Sequence, residues 1–177
     1  MPADQRVVYH AACSLDGYIA TPDGGVEWLG EFGAADGGYD EFFAGIGSLV
    51  LGRRTFDQVL GWGWPYGSKP SAVLTTSPLP GDEPESAFAS AGDDLPGLVE
   101  RLRASAPGGV WIVGGGETAG AFLRAGVLEE LQLSVIPVLL GAGIPLFAED
   151  AGGRRLELRG TETRPSGMVE LLYRVVG

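Results

Sequence analysis

The chain has 177 residues, of which 45% are hydrophobic and 20% charged, so it can build a substantial core and is not expected to be disordered. Its 12 basic and 23 acidic residues give a formal net charge of −11, which argues against a nucleic-acid-binding protein because such proteins need a basic face. The single cysteine, Cys13, excludes an internal disulfide, and with the single histidine, His10, it argues against a cysteine- or histidine-based metal centre.

The N-terminal segment MPADQRVVYHAACS has no hydrophobic run typical of a signal peptide. No window approaches the roughly 20 apolar residues that a membrane span requires. We therefore expect a cytoplasmic protein. Its length predicts a single domain over residues 1–177.

Short apolar segments alternate with amphipathic ones along the chain. The predicted strands are 6–14, 48–52, 71–76, 109–113, 128–141 and two strands of a hairpin within 156–176. The predicted helices are 37–46, 53–62, 95–106 and 117–126. Strands that alternate with helices indicate an α/β fold with a mainly parallel sheet, to which the C-terminal hairpin adds antiparallel pairing.

A run of three glycines follows the apolar strand GVWIV and precedes a predicted helix. Glycines in this position let backbone N–H groups approach a phosphate, and the helix N-terminus adds partial positive charge. A dinucleotide-binding turn is one interpretation of Gly114-x-Gly116-xxx-Gly120, and a tight turn with Gly120 at a packing point is the other. The acidic residue expected about 20 positions on for the usual ribose contact is not evident.

Two other strands end in residues suited to anions. Gly52, Arg53, Arg54 and Thr55 follow the second strand, and the hydroxyls of 75–77 follow the third. Both sets have simpler interpretations, as a solvated helix start and as a capped turn. Because ligands of open α/β sheets bind at the carboxyl ends of strands, the three ends together predict a nucleotide site.

These segments resemble the dihydrofolate reductase-like superfamily, and most closely its riboflavin-biosynthesis reductase branch. The resemblance runs from about Val7 to Val176, and its motifs are AACSLDGYIA, LVLGRRTF, VLTTS, IVGGGETAGAFL and LSVIPVLLGAGIPLF. It implies a three-layer α/β/α fold around a mixed, mostly parallel sheet of about eight strands. It also implies NADPH as the hydride donor, and two glycines of the triplet joined by a cis peptide bond.

The resemblance also implies a set of cofactor-binding residues at the strand ends. They are Gly52, Arg53, Arg54 and Thr55 at the adenosine 2′-phosphate and diphosphate; Leu74, Thr75, Thr76 and Ser77 at the adenosine; Val113, Gly114, Gly115, Gly116, Glu117 and Thr118 at the diphosphate and nicotinamide ribose; and Ala12 and Ile19 at the nicotinamide. The family often pairs as a homodimer, which here would use the segment LSVIPVLLG and the C-terminal hairpin.

The substrate half is less well defined by the sequence. Dihydrofolate reductases carry an acid on the first helix, and Asp36, Asp40 and Glu41 do not fall in its register. In the riboflavin branch the aspartate of SLDG lies near the substrate, so Asp16 is the predicted catalytic acid, with a turn-forming role as its alternative. The only basic residues available for a substrate phosphate are Lys69, Arg154 and Arg155.

Aromatic side chains complete the sequence predictions. Trp28, Trp62 and Trp64 are candidates for stacking on a planar substrate, or for covering the edge of the core. We expect Cys13 to be a core residue of the first strand, and His10 to be a core or edge residue with its hydrogen bonds satisfied rather than a catalyst.

These features predict an NADPH-dependent reductase of a small heterocyclic, carbonyl or imine compound. A reductase for the phosphorylated ribosylaminopyrimidine of riboflavin biosynthesis is one form of this prediction. Dihydrofolate reductase-type activity and a non-catalytic nucleotide-binding module are the alternatives.

Overall fold

One mixed sheet of eight strands runs through the centre of the molecule in a computed structural model that describes residues 5–30, 32, 38–149 and 152–177. The strands are β1 Val7–Ser14, β2 Tyr18–Ala20, β3 Ile46–Gly52, β4 Ser71–Leu74, β5 Ala87–Ser90, β6 Gly109–Gly114, β7 Glu130–Ile136, β8 Ile144–Pro145, β9 Arg155–Thr163 and β10 Val169–Val176. The helices are α1 Tyr39–Ala44, α2 Arg53–Trp62, α3 Leu95–Ser105 and α4 Gly116–Arg124, with a short 3₁₀ turn at Glu27–Leu29.

The sheet order is β5-β4-β3-β6-β1-β7-β10-β9. The first six strands pair in parallel, and β10 and β9 add antiparallel pairs at one edge. Strands β2 and β8 form a separate two-stranded antiparallel ribbon. The predicted α/β fold with a mostly parallel sheet and an antiparallel C-terminal hairpin is therefore confirmed.

Two hydrophobic cores cover the two faces of the sheet, which makes the fold three-layered. Apolar side chains of α3 and α4 pack on one face, and those of α1 and α2 pack on the other. Strand β1 lies between both cores, because Val7 and Tyr9 point to the first and Val8 to the second. This burial explains why its sequence is apolar throughout rather than alternating.

Some predicted boundaries were wrong. Strand β4 ends at Leu74, and β7 ends at Ile136, just before Pro137, rather than continuing to 141. Strand β5 was not predicted, because its residues are exposed or half-buried at the sheet edge and carry no strong apolar pattern. Among the described residues, no helix combines the length and apolar character that a membrane crossing requires.

Candidate functional site

The three predicted strand ends meet at one edge of the sheet. Gly52, the last residue of β3, lies opposite Leu74, the last residue of β4. Leu51 lies opposite Gly114, the last residue of β6. The parallel pairing of these strands thus brings the Arg-containing, hydroxyl-containing and glycine-rich segments to the same side of the molecule.

Two helices begin at this edge without a side-chain cap. Helix α2 starts directly after Gly52, and helix α4 starts directly after Gly115. The first N–H groups of a helix have no partner inside it, and neither of these helices receives a capping hydrogen bond from a side chain. Both N-termini therefore offer backbone donors and partial positive charge to an anion.

Glycine is required at two of these positions by close packing. A Cβ atom on Gly52 would lie 2.7 Å from Oγ1 of Thr118, and one on Gly116 would collide with the backbone oxygen of Pro145. The peptide bond between Gly114 and Gly115 is cis, as the resemblance implied. Close packing at these glycines therefore joins the end of β3 to α4 and the start of α4 to β8.

A cavity of about 1260 Å³ opens along this edge. Most of the predicted cofactor-binding residues line it. They are Ala12, Ile19, Gly52, Arg53, Arg54, Thr55, Leu74, Val113, Gly114, Gly115, Gly116, Glu117 and Thr118. Ligand sites for drug-sized molecules span about 300–1,000 Å³, so this cavity has room for a dinucleotide beside a small second molecule.

The hydroxyl segment after β4 is not part of the cavity lining. The backbone N–H of Thr75 donates to the Ser90 carbonyl at 2.8 Å, which continues the pairing with β5. The hydroxyl of Thr75 accepts from the N–H of Ser77 at 3.1 Å, and Thr76 is exposed. Of the four residues predicted here only Leu74 reaches the cavity, while the rest form the capped turn that was the alternative interpretation.

The two arginines at the start of α2 are in different environments. The Arg53 guanidinium contacts both carboxylate oxygens of Asp57, at 2.8 and 3.0 Å, and donates to the Pro78 carbonyl at 2.9 Å. Arg54 is exposed, lines the cavity, and makes no hydrogen bond or ion pair within the described part of the chain. Arg54 is thus the guanidinium available to an incoming anion.

Asp16 does not line the cavity. Its carboxylate accepts hydrogen bonds from the Ser14 hydroxyl at 2.6 Å and from the backbone N–H groups of Leu140 and Gly141 at 3.1 and 2.7 Å. The hydrogen bond from the Ser14 hydroxyl is the largest cause that lowers the pKa of Asp16, and the hydrogen bonds from the backbone N–H groups lower it further. A carboxylate held in this way is ionised at neutral pH and has no proton to give, so the structure favours the turn-forming alternative for this residue.

The other acids considered for the substrate half are not at the cavity either. Asp40 and Glu41, in the first turn of α1, are absent from its lining, and Asp36 lies outside the described residues. Among the described residues, the acids that line it are Asp23, Glu117 and Glu149, all exposed.

The basic residues proposed for a substrate phosphate lie elsewhere. The Lys69 ammonium donates to the Ile46 carbonyl and lies 4.6 Å from the centre of the Phe43 ring. Arg154 donates to the neighbouring Gly153 carbonyl, and Arg155 begins the exposed edge strand β9. None of these three candidates lines the cavity, because residue type alone does not show where a side chain points.

One of the three tryptophan candidates reaches the cavity. Trp62, at the end of α2, lines it and keeps 62% of its surface exposed. Trp64 packs edge-on against Phe56 and Tyr66 and donates to the Gly67 carbonyl at 3.0 Å. Trp28 is not among the lining residues.

The sequence analysis did not predict two parts of the cavity lining. One is the segment after β2, tied to α2 by a 2.9 Å hydrogen bond from the Gln58 amide to the Gly24 carbonyl. The other is the inner face of α2, where Gln58, Val59 and Trp62 follow Thr55 at helical spacing. That spacing was readable from the sequence once Thr55 was placed at the site.

His10 was expected to be a satisfied core or edge residue, but its ring is not fully satisfied. It lines the cavity, and its Nδ1 atom is buried with no hydrogen-bond partner among the described residues. Burial lowers the pKa of His10 to about 4, against a smaller opposing effect of Glu170. The imidazole is therefore neutral at neutral pH. No group of three or more potential metal ligands occurs in the described ranges.

Comparison with known proteins agrees with this geometry. The model of the RibD C-terminal domain matches residues 64–170. The chain belongs to the RibD C-terminal domain family. It is 36% identical over 162 residues to "Uncharacterized protein YwjB" of Bacillus subtilis (strain 168), an alignment that covers 90% of this chain and 92% of that protein.

Solved structures extend the similarity to the whole fold. The "Putative riboflavin biosynthesis protein" of Shewanella sp. PV-4 superposes with a TM-score of 0.85 at 29% identity, covering 98% of this chain and all of that one (100%). A dihydrofolate reductase from Enterococcus faecalis, solved with NADP(H), superposes with a TM-score of 0.65 at 18% identity over 97% of both chains. The second similarity concerns the fold alone, which is dihydrofolate reductase-like.

Proposed function

We propose that the protein is an NADPH-dependent reductase that acts on a small heterocyclic, carbonyl or imine compound. The observation that carries the proposal is the meeting, at one large cavity, of two helix N-termini without side-chain caps and of the Arg54 guanidinium, which has no partner among the described residues. Backbone donors and a guanidinium are the groups that phosphates prefer.

The cavity residues fit the chemical parts of such a cofactor. The N-termini of α2 and α4 would bind the diphosphate through backbone N–H groups, and Arg54 would bind the 2′-phosphate. The Ala12 and Ile19 side chains supply an apolar surface for the nicotinamide ring. When bound, NADPH supplies the hydride, and the protein supplies orientation and exclusion of water.

The proton that accompanies the hydride needs a source other than Asp16. The exposed acids at the cavity, Asp23, Glu117 and Glu149, are open to solvent, so water that enters beside them can deliver it. Asp16 instead holds the segment that leads into Gly143, Ile144 and Pro145 on the cavity wall. We therefore assign it a positioning role.

Family membership and the name of the Shewanella protein make pyrimidines of riboflavin biosynthesis the first acceptors to test. Dihydrofolate reductase-type activity is the second candidate, because the fold is shared with a dihydrofolate reductase. A non-catalytic nucleotide-binding module is the third, and it predicts cofactor binding without turnover.

Two measurements separate these possibilities. Calorimetric titration with NADPH should give a dissociation constant below about 100 μM, and no binding at about 1 mM would eliminate every reductase version. Oxidation of NADPH is then followed by its absorbance with pyrimidine, pterin and carbonyl compounds. Turnover of any of them excludes the non-catalytic module, and turnover of dihydrofolate alone favours the second candidate.

We also propose a homodimer that uses the C-terminal hairpin. Its outer strand β9 is almost fully exposed, and Leu156, Leu158 and Val176 leave 43%, 53% and 42% of their surfaces in solvent. Unpaired edge strands of this kind readily pair with another chain. Sedimentation should show a dimer that Leu158→Glu dissociates, whereas a monomeric wild type would remove the proposal.

A further inference from the structure

Trp62 presents an accessible indole to the cavity. It is the last residue of α2, lines the cavity and keeps 62% of its surface in solvent. Tryptophan is a large, mostly apolar residue that proteins usually bury to a high degree, often against other rings. An exposed indole in the wall of a cavity is therefore a surface that a ligand can reach and cover.

Trp64 shows how the same residue type is used in the core. Its ring lies edge-on to Phe56 at 5.7 Å and to Tyr66 at 5.1 Å between ring centres, and its indole N–H donates to the Gly67 carbonyl at 3.0 Å. The Trp62 side chain has no ring contact and no hydrogen bond among the described residues. The two tryptophans thus differ in that only Trp64 is held by the protein itself.

The position of Trp62 on α2 separates it from the anion-binding end of the cavity. Arg53 and Arg54 stand in the first turn of this helix, and Trp62 ends it. At a rise of about 1.5 Å per residue, Trp62 lies about 12 Å from Arg54 along the helix axis. The phosphates of the proposed cofactor would bind at the start of α2, so they would not cover the indole.

Trp62 also belongs to the face of the sheet on which the hydride would be transferred. Helix α2 packs on the face to which Val8 points, through Phe56 and Val59. Side chains of a strand alternate between faces, so Ala12 of β1 points to the same face as Val8. Ala12 is part of the surface proposed for the nicotinamide, and a hydride acceptor must lie in contact with that ring. The acceptor would therefore lie on the face that α2 covers.

The segment after β2 supplies the facing wall. The Gln58 amide donates to the Gly24 carbonyl at 2.9 Å, which holds this segment against the middle of α2. Trp62 follows Gln58 by one helical turn and so lies on the same side of the helix. Further residues of this part of the lining are Pro22 and Val26, on either side of Gly24, and Val59 and Tyr66, which pack in the second core. The cavity beside the second half of α2 thus has mainly apolar and aromatic walls.

We propose that the hydride acceptor contains a flat aromatic or heteroaromatic ring and that the Trp62 indole stacks on the face of this ring. Two aromatic rings in offset contact attract each other beyond the effect of the area that they bury. Trp62 is then a residue that determines acceptor specificity. The inference rests on the proposed reductase function and deepens it, because it selects ring compounds over aliphatic carbonyl and imine compounds.

Ligand titrations test the preference for a flat ring. Lumazine represents flat heterocycles, and acetophenone with cyclohexyl methyl ketone is a matched pair that carries the same carbonyl group on an aromatic and on a saturated ring. Each compound is titrated calorimetrically into the protein with and without saturating NADP⁺. At least one flat compound should bind with a dissociation constant below about 1 mM, and acetophenone should bind about threefold or more tightly than its saturated partner.

Two results would overturn the preference. One is no binding of either flat compound at about 1 mM, and the other is binding of cyclohexyl methyl ketone as tightly as acetophenone or more tightly. Loss of NADP⁺ binding alone counts against the proposed function, because the titrations on the cofactor-free protein still decide the inference.

Substitutions of Trp62 test the contact itself. Trp62→Leu keeps an apolar side chain but no flat face, so it should weaken binding of the flat compound about tenfold while the NADP⁺ dissociation constant changes less than about twofold. Trp62→Phe keeps a flat ring and should recover most of the affinity. In turnover, Trp62→Leu should raise KM for a flat acceptor with a smaller effect on kcat. Because the indole is exposed, neither substitution should prevent folding.

The matched control is Trp64→Phe, which alters a tryptophan of the core outside the cavity lining. It should leave every dissociation constant unchanged, even where it lowers the melting temperature. Equal binding of the flat compound by Trp62→Leu and the wild type would remove Trp62 from the acceptor site. A loss in Trp62→Leu confined to NADP⁺ would also overturn the inference, because the indole would then contact the cofactor.

Discussion

The carboxylate of Asp16 accepts a 2.7 Å hydrogen bond from the backbone N–H of Gly141, a residue 125 positions further along the chain. The Leu15 N–H donates to the Val138 carbonyl at 2.9 Å, and the Leu146 N–H donates to the Gly17 carbonyl at the same distance. The turn after β1 therefore holds both ends of the segment that leads into the cavity wall. The segments SLDGYIA and PVLLGAGIPLF are thus one structural unit.

Replacing Asp16 tests whether it positions this segment or transfers a proton. Asp16→Ala removes the acceptor of three hydrogen bonds, so the melting temperature and NADPH affinity should both fall. Asp16→Asn keeps one acceptor oxygen, which can accept from Ser14 and Leu140 at Oδ1 but not also from Gly141 at Oδ2. It should therefore retain more of the stability and of the NADPH oxidation rate than Asp16→Ala does. If Asp16→Asn is as stable as the wild type but as inactive as Asp16→Ala, Asp16 is instead a proton donor.

The two arginines of α2 should differ in their effect on cofactor preference. Arg54→Ala should weaken NADPH binding about tenfold and leave NADH nearly unchanged, because only NADPH carries the 2′-phosphate. Arg53→Ala should act more weakly on this ratio, since its guanidinium is held by Asp57 and Pro78. Calorimetric titration of both cofactors measures the ratio.

Arg101→Ala is the control, because this arginine lies on the exposed part of α3 away from the cavity. If Arg54→Ala weakens NADH and NADPH equally, its side chain does not contact the 2′-phosphate. If Arg53→Ala lowers the preference for NADPH over NADH more than Arg54→Ala does, Arg53 is the residue that contacts the 2′-phosphate.

The close contact between Gly52 and Thr118 predicts a coupled pair of mutations. Gly52→Ala should destabilise the protein by about 1–3 kcal/mol, because its Cβ would lie 2.7 Å from the Thr118 hydroxyl. The double variant Gly52→Ala, Thr118→Ala should recover part of this loss. Urea unfolding of the four proteins in the cycle gives the coupling energy.

Gly61→Ala, in the helix that follows Gly52, provides the comparison. A Cβ at Gly61 meets nothing within 4 Å, so this substitution should be neutral or stabilising by up to about 1 kcal/mol. Equal destabilisation by both substitutions would mean that the contact with Thr118 does not determine the effect at Gly52.

The neutral, buried His10 predicts a pH-dependent stability. Its pKa is about 4 in the folded protein and near 6.5 when unfolded, so the unfolded state binds more protons between these values. Stability should therefore fall as the pH drops from about 6.5 to about 4, with a contribution of up to about 1.4 kcal/mol per pH unit. The lowered pKa of Asp16 acts in the same direction only at lower pH, below its usual value of 3.8.

Denaturant unfolding at several pH values measures this slope. In His10→Phe the slope between pH 4 and 6.5 should decrease, whatever the absolute stability of the variant. An unchanged slope would show that the imidazole is not buried in its neutral form.

The glycine-rich turn and the parallel sheet could be predicted because both depend on local patterns. An apolar strand that runs into Gly114 needs little else to place a turn there. The different environments of Arg53 and Arg54 depend on Asp57 one helical turn later, a spacing visible in the sequence but informative only once the helix is established. The pairing of Asp16 with Gly141, the unsatisfied ring of His10 and the edge strand β5 depend on tertiary contacts and have no local signature.

The position of β1 has a consequence for how the chain is made. This strand is the first to leave the ribosome, but its partners are β6 at 109–114 and β7 at 130–136. Its apolar side chains therefore stay without their full set of native neighbours until β7 has been synthesised. Chaperone contact during translation should concentrate on β1, and completion of β7 should release it.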